Sequence, residues 1–305
     1  MKKILSIILP AFNEEMNIRY ACNEISKIMI SEQITFELIF VDDGSKDATW
    51  ESIEKVSKEN SFVHGISFSR NFGKEAALIA GLSVSKGECC AVMDCDLQHP
   101  PQTLVKMYHL WEEGYEIVEG VKTSRGKESI FHKIAAKSFY QIISRATGID
   151  MSRTSDFKLM DRKVVDCLLI MQEKAMFFRA LSSWVGFCKT QVEFDVQQRI
   201  AGKTKWSTKS LMKYAVTNIT SFSTLPMQMV TGLGIVYLFF AIILFIQTIT
   251  KYISGAALEG FSTVIILLLL TGSLVMISLG ILGYYMAKIY DEVRNRPRYI
   301  ISKTL

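Results

Sequence analysis

The sequence predicts an α/β domain built on a mostly parallel sheet, followed by a hairpin of two transmembrane helices. Three observations carry this reading. Apolar, β-branched runs alternate with helical patterns through the first third of the chain, polar clusters follow each of the first four predicted strands, and two long C-terminal stretches hold no charged residue. With 49% apolar residues in 305, the chain can bury a large core and is not disordered.

The first strand is expected at residues 4–9. Its apolar run is too short for a signal peptide and passes into Pro10-Ala11-Phe12-Asn13-Glu14 without a cleavage site. Further strands are expected at 36–41, 63–68 and 89–93, with helices at 16–29, 48–59 and 74–85 between them. Repeated βαβ alternation covers both sheet faces with helices and leaves ligands at the carboxyl ends of the strands. At 131–145, Phe131, Ile134, Phe139 and Ile142 recur at helical spacing with Lys133, Lys137 and Arg145 between them. Such a helix either packs on the domain or lies in the lipid headgroup layer.

Residues 214–250 contain no Asp, Glu, Lys or Arg. Their apolar part, 227–250, would reach about 36 Å as a helix, enough to cross a hydrocarbon core of about 30 Å. A second uncharged run, 260–287, ends on Tyr284, Tyr285 and Lys288, residue types that anchor a helix at an interface. Lys205, Lys209 and Lys213 flank one side of the pair and Arg294, Arg296 and Arg298 the other. The positive-inside rule therefore places both termini and the N-terminal domain in the cytoplasm, with the chain a multi-pass protein of the inner membrane. The expected organisation is 1–225 as the cytoplasmic domain with its interfacial helices, 226–290 as two transmembrane helices at about 227–250 and 262–287, and 291–305 as a basic cytoplasmic tail.

The net charge of +5 is localised. Residues 122–145 hold six basic residues against Glu128, and 199–213 hold five with no acid. Basic segments beside apolar spans suit anionic lipid or a phosphate-bearing substrate rather than nucleic acid. The six cysteines show no C-x-x-C pair, which fits a reducing compartment.

Neither a G-x-G-x-x-G fingerprint nor a G-x-x-x-x-G-K-[ST] loop occurs, which disfavours a nicotinamide enzyme or an NTPase. In Asp94-x-Asp96, an extended chain would point both carboxylates the same way, ready for Mg²⁺ or Mn²⁺ and a diphosphate, with Gln98 as a further oxygen ligand. His99, ahead of two prolines, reads as a structural loop residue. Asp42-Asp43-Gly44-Ser45 with Asp47 has two readings: a helix cap, or a carboxylate for a nucleobase imide or ribose hydroxyl with Ser45 or Asp47 left to cap.

These segments, together with Arg70-Asn71-Phe72-Gly73-Lys74-Glu75, Leu97-Gln98-His99-Pro100-Pro101, Asp156-Phe157-Lys158-Leu159-Met160 and Arg199-x-Ala201-Gly202-x-Thr204-Lys205, resemble the GT-A family 2 polyisoprenyl-phosphate glycosyltransferases over almost the whole chain. That group includes dolichol-phosphate mannose synthases and undecaprenyl-phosphate glucosyltransferases, and the two-span C-terminal part is similar to the latter. The resemblance implies a GT-A nucleotide-sugar-binding domain in which Asp94, Asp96 and Gln98 hold Mg²⁺ or Mn²⁺ and the donor diphosphate. It implies a nucleotide-sugar site at Pro10, Asn13, Glu14, Asp42, Asp43, Gly73 and Lys74, and an acceptor-phosphate site at Lys122, Arg125, Arg199 and Lys205. Asp156 would join Asp94 and Asp96 as a catalytic residue, orienting the acceptor or its cation. Lys122 stands where relatives commonly carry arginine, and Ala11 where tyrosine is frequent. The implied reaction is inverting transfer of a hexose, with UDP-glucose favoured, to undecaprenyl phosphate in a homo-oligomeric enzyme serving the cell envelope. UDP-N-acetylglucosamine or GDP-mannose as donor, and a non-enzymatic membrane scaffold, are the alternatives.

Overall fold

The structure, a computed structural model, describes residues 3–123, 155–171, 173, 177–195, 225–255 and 260–305. The chain divides into two compact units, Met1–Ser210 with Pro297–Leu305, and Leu211–Arg296.

The first unit opens with β1 (Ile4–Ala11), α1 (Glu15–Ser31), β2 (Thr35–Asp42), α2 (Thr49–Glu59), β3 (Val63–Phe68), α3 (Lys74–Val84) and β4 (Cys89–Val92). It continues with α4 (Pro101–Glu112), β5 (Ile117–Lys122), β6 (Lys158–Asp161), α5 (Arg162–Ile170), α6 (Phe178–Trp184), β7 (Lys189–Phe194) and, at the C-terminus, β8 (Ile301–Thr304). The strands form one sheet in the order β7-β5-β6-β4-β1-β2-β3-β8. β3, β2, β1 and β4 are mutually parallel, as the βαβ alternation predicts. β1 is central, and Leu5, Ile7, Ile8 and Leu9 have no exposed surface because both faces are covered, which explains a continuous apolar run rather than an alternating one. In α4, Pro101 opens the first turn, where its missing N–H costs nothing, and Leu104, Met107, Tyr108 and Trp111 recur on one buried face.

β6 runs antiparallel to both β4 and β5, pairing Val92 with Lys158 and Glu119 with Lys158. Its reversed direction brings the residues before it, Ser155, Asp156 and Phe157, to the edge where β1 to β4 end. The 291–305 segment, expected as a basic tail, differs: the helix before it runs to Val293, and Ile301–Thr304 pairs antiparallel with β3. Four residues with three polar side chains carry no strand signal of their own, and the partner that orders them lies far away in the sequence. The amphipathic 131–145 segment lies outside the described residues.

The second unit contains α7 (Leu225–Ile253) and α8 (Phe261–Val293). Met227–Ile253 and Ile266–Val293 are long and apolar enough to cross a membrane, with mean hydropathies of 2.6 and 2.4. Phe239 is 64% exposed and Leu269 66%, so the apolar side chains point outward rather than into a protein core, as hydrocarbon surroundings require. The Tyr237 hydroxyl bonds that of Thr271 between the helices. The hydroxyls of Thr231, Thr248, Ser273 and Ser278 return to carbonyls four residues earlier, which satisfies them without water.

Candidate active site

Four polar segments leave the carboxyl edge of the parallel strands, and a fifth arrives there because β6 is reversed. After β4 burial alternates: Met93, Cys95, Leu97 and His99 are buried, while Asp94, Asp96 and Gln98 are half-buried. The backbone is not extended as expected but turns at residues 95 and 96, where the Leu97 N–H meets the Asp94 carbonyl at 3.4 Å. Leu97 adopts φ 51, and the Gln98 N–H bonds Asp96 Oδ1 at 3.1 Å, tightening the turn between them. His99 is structural: it stacks on Phe157 with ring centroids 4.7 Å apart and meets Phe194 edge-on. Burial holds its imidazole pKa down, so the ring is neutral at neutral pH.

Lys74, the first residue of α3, joins two of these segments. Its Nζ lies 2.6 Å from Asp94 Oδ1 and 3.3 Å from Asp156 Oδ2. Removal from water opposes its charge, but the two carboxylates outweigh that cost and raise its pKa above the ordinary lysine value. Desolvation likewise works against the Asp94 carboxylate, and Lys74 reverses it, leaving the pKa below the usual range. Arg179 on α6 grips Asp156 at two points, Nε to Oδ1 at 2.7 Å and Nη2 to Oδ2 at 2.9 Å. Although burial favours the protonated acid, Lys74 and Arg179 together hold Asp156 far below a normal carboxyl, so it is an anion at every working pH.

Asp42 and Asp43 are 2% and 4% exposed. Asp42 accepts the Ser45 N–H at 2.9 Å and the Ser67 hydroxyl at 2.8 Å, whereas Asp43 accepts the N–H groups of Phe72, at 2.7 Å, and Gly73, at 2.9 Å. Both carboxylates thus brace the loops around them. Burial raises the Asp43 pKa despite those bonds. Gly44 makes this packing achievable: it sits at φ 65, and a Cβ there would stand 2.4 Å from the Arg70 carbonyl carbon. Ser45 does not cap α2. Its hydroxyl accepts the Asn13 N–H at 2.9 Å, and Asp47 instead takes the Thr49 N–H. Asn13, at φ 54, accepts the Lys46 N–H through Oδ1, and the half-buried Glu14 holds Asn17 Nδ2 at 2.6 Å. The Pro10 carbonyl faces the Cys95 thiol, and Gly73 turns at φ 100 into α3.

Lys122 is exposed at the end of β5. Arg125, Arg199 and Lys205 lie outside the described residues. Arg179 lies in no motif that singles it out, and Glu75, although inside the Arg70–Glu75 segment, had no role assigned from the sequence. Glu75 accepts the Phe178 N–H at 3.1 Å and so ties α3 to the start of α6, the helix that carries Arg179. Burial, with Asp156 nearby, raises its pKa to about 7.

The oxygen donors suit a hard divalent cation. Asp94 and Asp96 are two carboxylates one residue apart on an open loop, and Asp94 already draws the Lys74 ammonium. Among the described residues no three His, Cys, Asp or Glu side chains form a cage, so diphosphate oxygens and water would complete the coordination.

The family described as glycosyl transferase family 2 matches residues 6–169. The chain is 39% identical to the uncharacterized glycosyltransferase YkcC of Bacillus subtilis (strain 168), covering 98% of this chain and 93% of the relative. It is 33% identical to the bactoprenol glucosyl transferase of Shigella phage SfII, covering 98% of each. Among solved structures, glucosyl-3-phosphoglycerate synthase from Mycobacterium tuberculosis, in complex with Mn²⁺, UDP-glucose and phosphoglyceric acid, is similar in fold with a TM-score of 0.50. That likeness covers 72% of this chain and 79% of the other at 18% identity.

Proposed function

Because the chain belongs to glycosyltransferase family 2, we propose that it transfers glucose from UDP-glucose to a polyisoprenyl phosphate, with inversion at the anomeric carbon. The observation that carries the reading is the meeting of Asp94 and Asp156 on Lys74 at the carboxyl edge of the sheet. These charges would receive a diphosphate, in a chain that also holds two helices able to enter a bilayer. The relatives named bactoprenol glucosyl transferases, matched over 98% of this chain, support glucose and the lipid acceptor. UDP is the finer assignment.

Asp94 and Asp96, with Gln98, would hold a divalent cation, which when bound offsets the charge developing on the departing diphosphate. The remaining work belongs to the chain's own residues. Lys74 stays protonated between its two carboxylates and presents a fixed positive charge to the diphosphate oxygens. Asp156 does not remove a proton, because two cations hold it ionised. It keeps Lys74 and Arg179 in register while the acceptor approaches. A phosphate monoester with a second pKa of about 6 is largely dianionic at neutral pH and attacks without a general base. Lys122, with Arg125, Arg199 and Lys205, would receive that dianion, while Pro10, Asn13, Glu14, Asp42, Asp43 and Gly73 shape the nucleoside side.

In this reading the catalytic unit and both termini are cytoplasmic, the two helices span the inner membrane, and the enzyme works as a homo-oligomer. The test is to incubate the purified full chain with Mg²⁺, undecaprenyl phosphate and UDP-glucose, UDP-N-acetylglucosamine or GDP-mannose, and to identify the glycolipid by mass spectrometry. Product from UDP-glucose alone supports the assignment, and product from another donor reassigns the sugar. No glycolipid from any donor, or an Asp96→Asn variant as active as wild type, overturns it.

A further inference from the structure

The C-terminal segment is bound into the donor side of the first unit. β8 pairs with β3 at Ile66 to Thr304, Ser67 to Lys303 and Phe68 to Ile301, with an irregularity between Ser67 and Phe68. Beyond both ends of that ladder, the Ser69 N–H bonds the Ile300 carbonyl at 3.0 Å, and the Leu305 N–H bonds the Gly65 carbonyl at 2.8 Å. Arg298 also donates to the Met171 carbonyl. β8 thereby covers what would otherwise be the open edge of β3.

At the point where β3 hands over to the Arg70–Lys74 loop, Tyr299 stacks on Phe68, with centroids 5.0 Å apart and planes at 15°. Its hydroxyl lies 3.2 Å from the Ser83 Oγ of α3. Phe68 in turn meets Phe72 edge-on at 5.7 Å, and the backbone N–H of Phe72 is one of the donors that hold Asp43. Ring contacts thus run from Tyr299 through Phe68 to Phe72, ending one backbone hydrogen bond from Asp43.

We propose that Tyr299 is a positioning residue for the donor nucleotide, acting through Phe68 and Phe72 to fix the Asp43 loop. The proposal rests on the donor-binding reading above and extends it to a residue outside the family match at 6–169. Residues 294–300 alone separate this strand from the second apolar helix, so the segment that leaves the helix is the one that braces the nucleotide side.

The experiment measures UDP binding to the purified full chain in detergent by calorimetry, alongside steady-state kinetics. Tyr299→Leu keeps an apolar side chain but loses the stack. It is expected to weaken UDP and raise the KM for UDP-glucose by about two- to tenfold, leaving kcat and the KM for the lipid phosphate within twofold. Tyr299→Phe restores wild-type binding. Phe72→Leu interrupts the same ring contacts at the other end, and the double variant Tyr299→Leu/Phe72→Leu loses no more than the weaker-binding single one. Should Tyr299→Leu fail to fold, Phe72→Leu must show the same selective rise in KM. Wild-type UDP affinity in Tyr299→Leu, or strictly additive losses, overturns the proposal alone. A wild-type protein that binds neither UDP nor GDP overturns the donor reading and this proposal with it.

Discussion

Oδ1 of Asp94 lies 2.6 Å from the Lys74 ammonium, so the first carboxylate of the Asp94-x-Asp96 pair already has a cationic partner from the start of α3, the helix before β4. In the proposed reading the pairing makes Lys74 part of the diphosphate site rather than a surface charge. Replacing it by methionine is expected to lower kcat/KM for the donor by about 10²-fold, the scale for losing one preorganised charge. Lys74→Arg keeps the charge and should retain part of the rate. Steady-state kinetics at saturating lipid phosphate provides the check, and a Lys74→Met enzyme within threefold of wild type removes Lys74 from the proposed donor site.

Glu75 predicts a pH dependence of stability. Burial, reinforced by Asp156, raises its pKa from the ordinary 4.5 to about 7, so the folded chain holds that proton more tightly than the unfolded chain. Its contribution is greatest below the ordinary value, falls as pH rises through the interval and is level beyond about 7. Thermal unfolding of Glu75→Gln at about pH 5 and about pH 8 should show a smaller difference than wild type. An unchanged difference assigns the slope to other groups.

The buried pair Lys158 and Glu119 predicts an asymmetry between single and double variants. Lys158 Nζ bonds Glu119 Oε1 and the Ser182 hydroxyl, each at 2.6 Å, and both ionic side chains are almost wholly shielded from water. Burial lowers the lysine pKa while Glu119 opposes it. Lys158→Met strands the carboxylate and should destabilise by about 3–5 kcal/mol, whereas Lys158→Met/Glu119→Leu should recover most of that loss. Chemical denaturation in detergent measures both, and equal losses in the two variants refute the argument.

Gly44→Ala tests the contact between the Asp43 and Arg70 loops. At φ 65, with a Cβ 2.4 Å from the Arg70 carbonyl carbon, alanine forces the loops apart at a cost of about 1–3 kcal/mol in backbone strain, before any steric clash is counted. The expected result is a lower melting temperature together with weaker UDP binding, since the Phe72 and Gly73 donors move with Arg70. Wild-type affinity in a folded Gly44→Ala protein would detach this loop from the nucleotide site.

The alternating segments through β4 were legible because short apolar runs mark the strands and helical spacing marks the helices between them; the structure lengthens the first strand to Ala11, the first helix to Glu15–Ser31 and the second strand to Thr35–Asp42. The acidic residues after β4 stood out by their spacing, but their turn did not, since Leu97 at φ 51 departs from the extended backbone expected there. β6, β7 and β8 were not legible, because their order and direction come from partners distant in the chain. Arg179 was illegible as a site residue for a related reason: nothing local distinguishes an arginine that grips a carboxylate from one in solvent. Asp42 and Asp43 were read with two roles open, and the structure shows both carboxylates bracing backbone and hydroxyl groups of neighbouring loops.

The sequence by itself determined the parallel α/β half, the two apolar helices and the acidic loop after β4, since these follow from local periodicity, hydropathy and residue spacing. Tertiary structure alone decided that Lys74 joins Asp94 to Asp156, that Arg179 holds Asp156 ionised, and that the last residues close the β3 edge. Those are pairings between residues far apart in the chain, and their energies depend on distance and burial, neither of which a one-dimensional pattern contains.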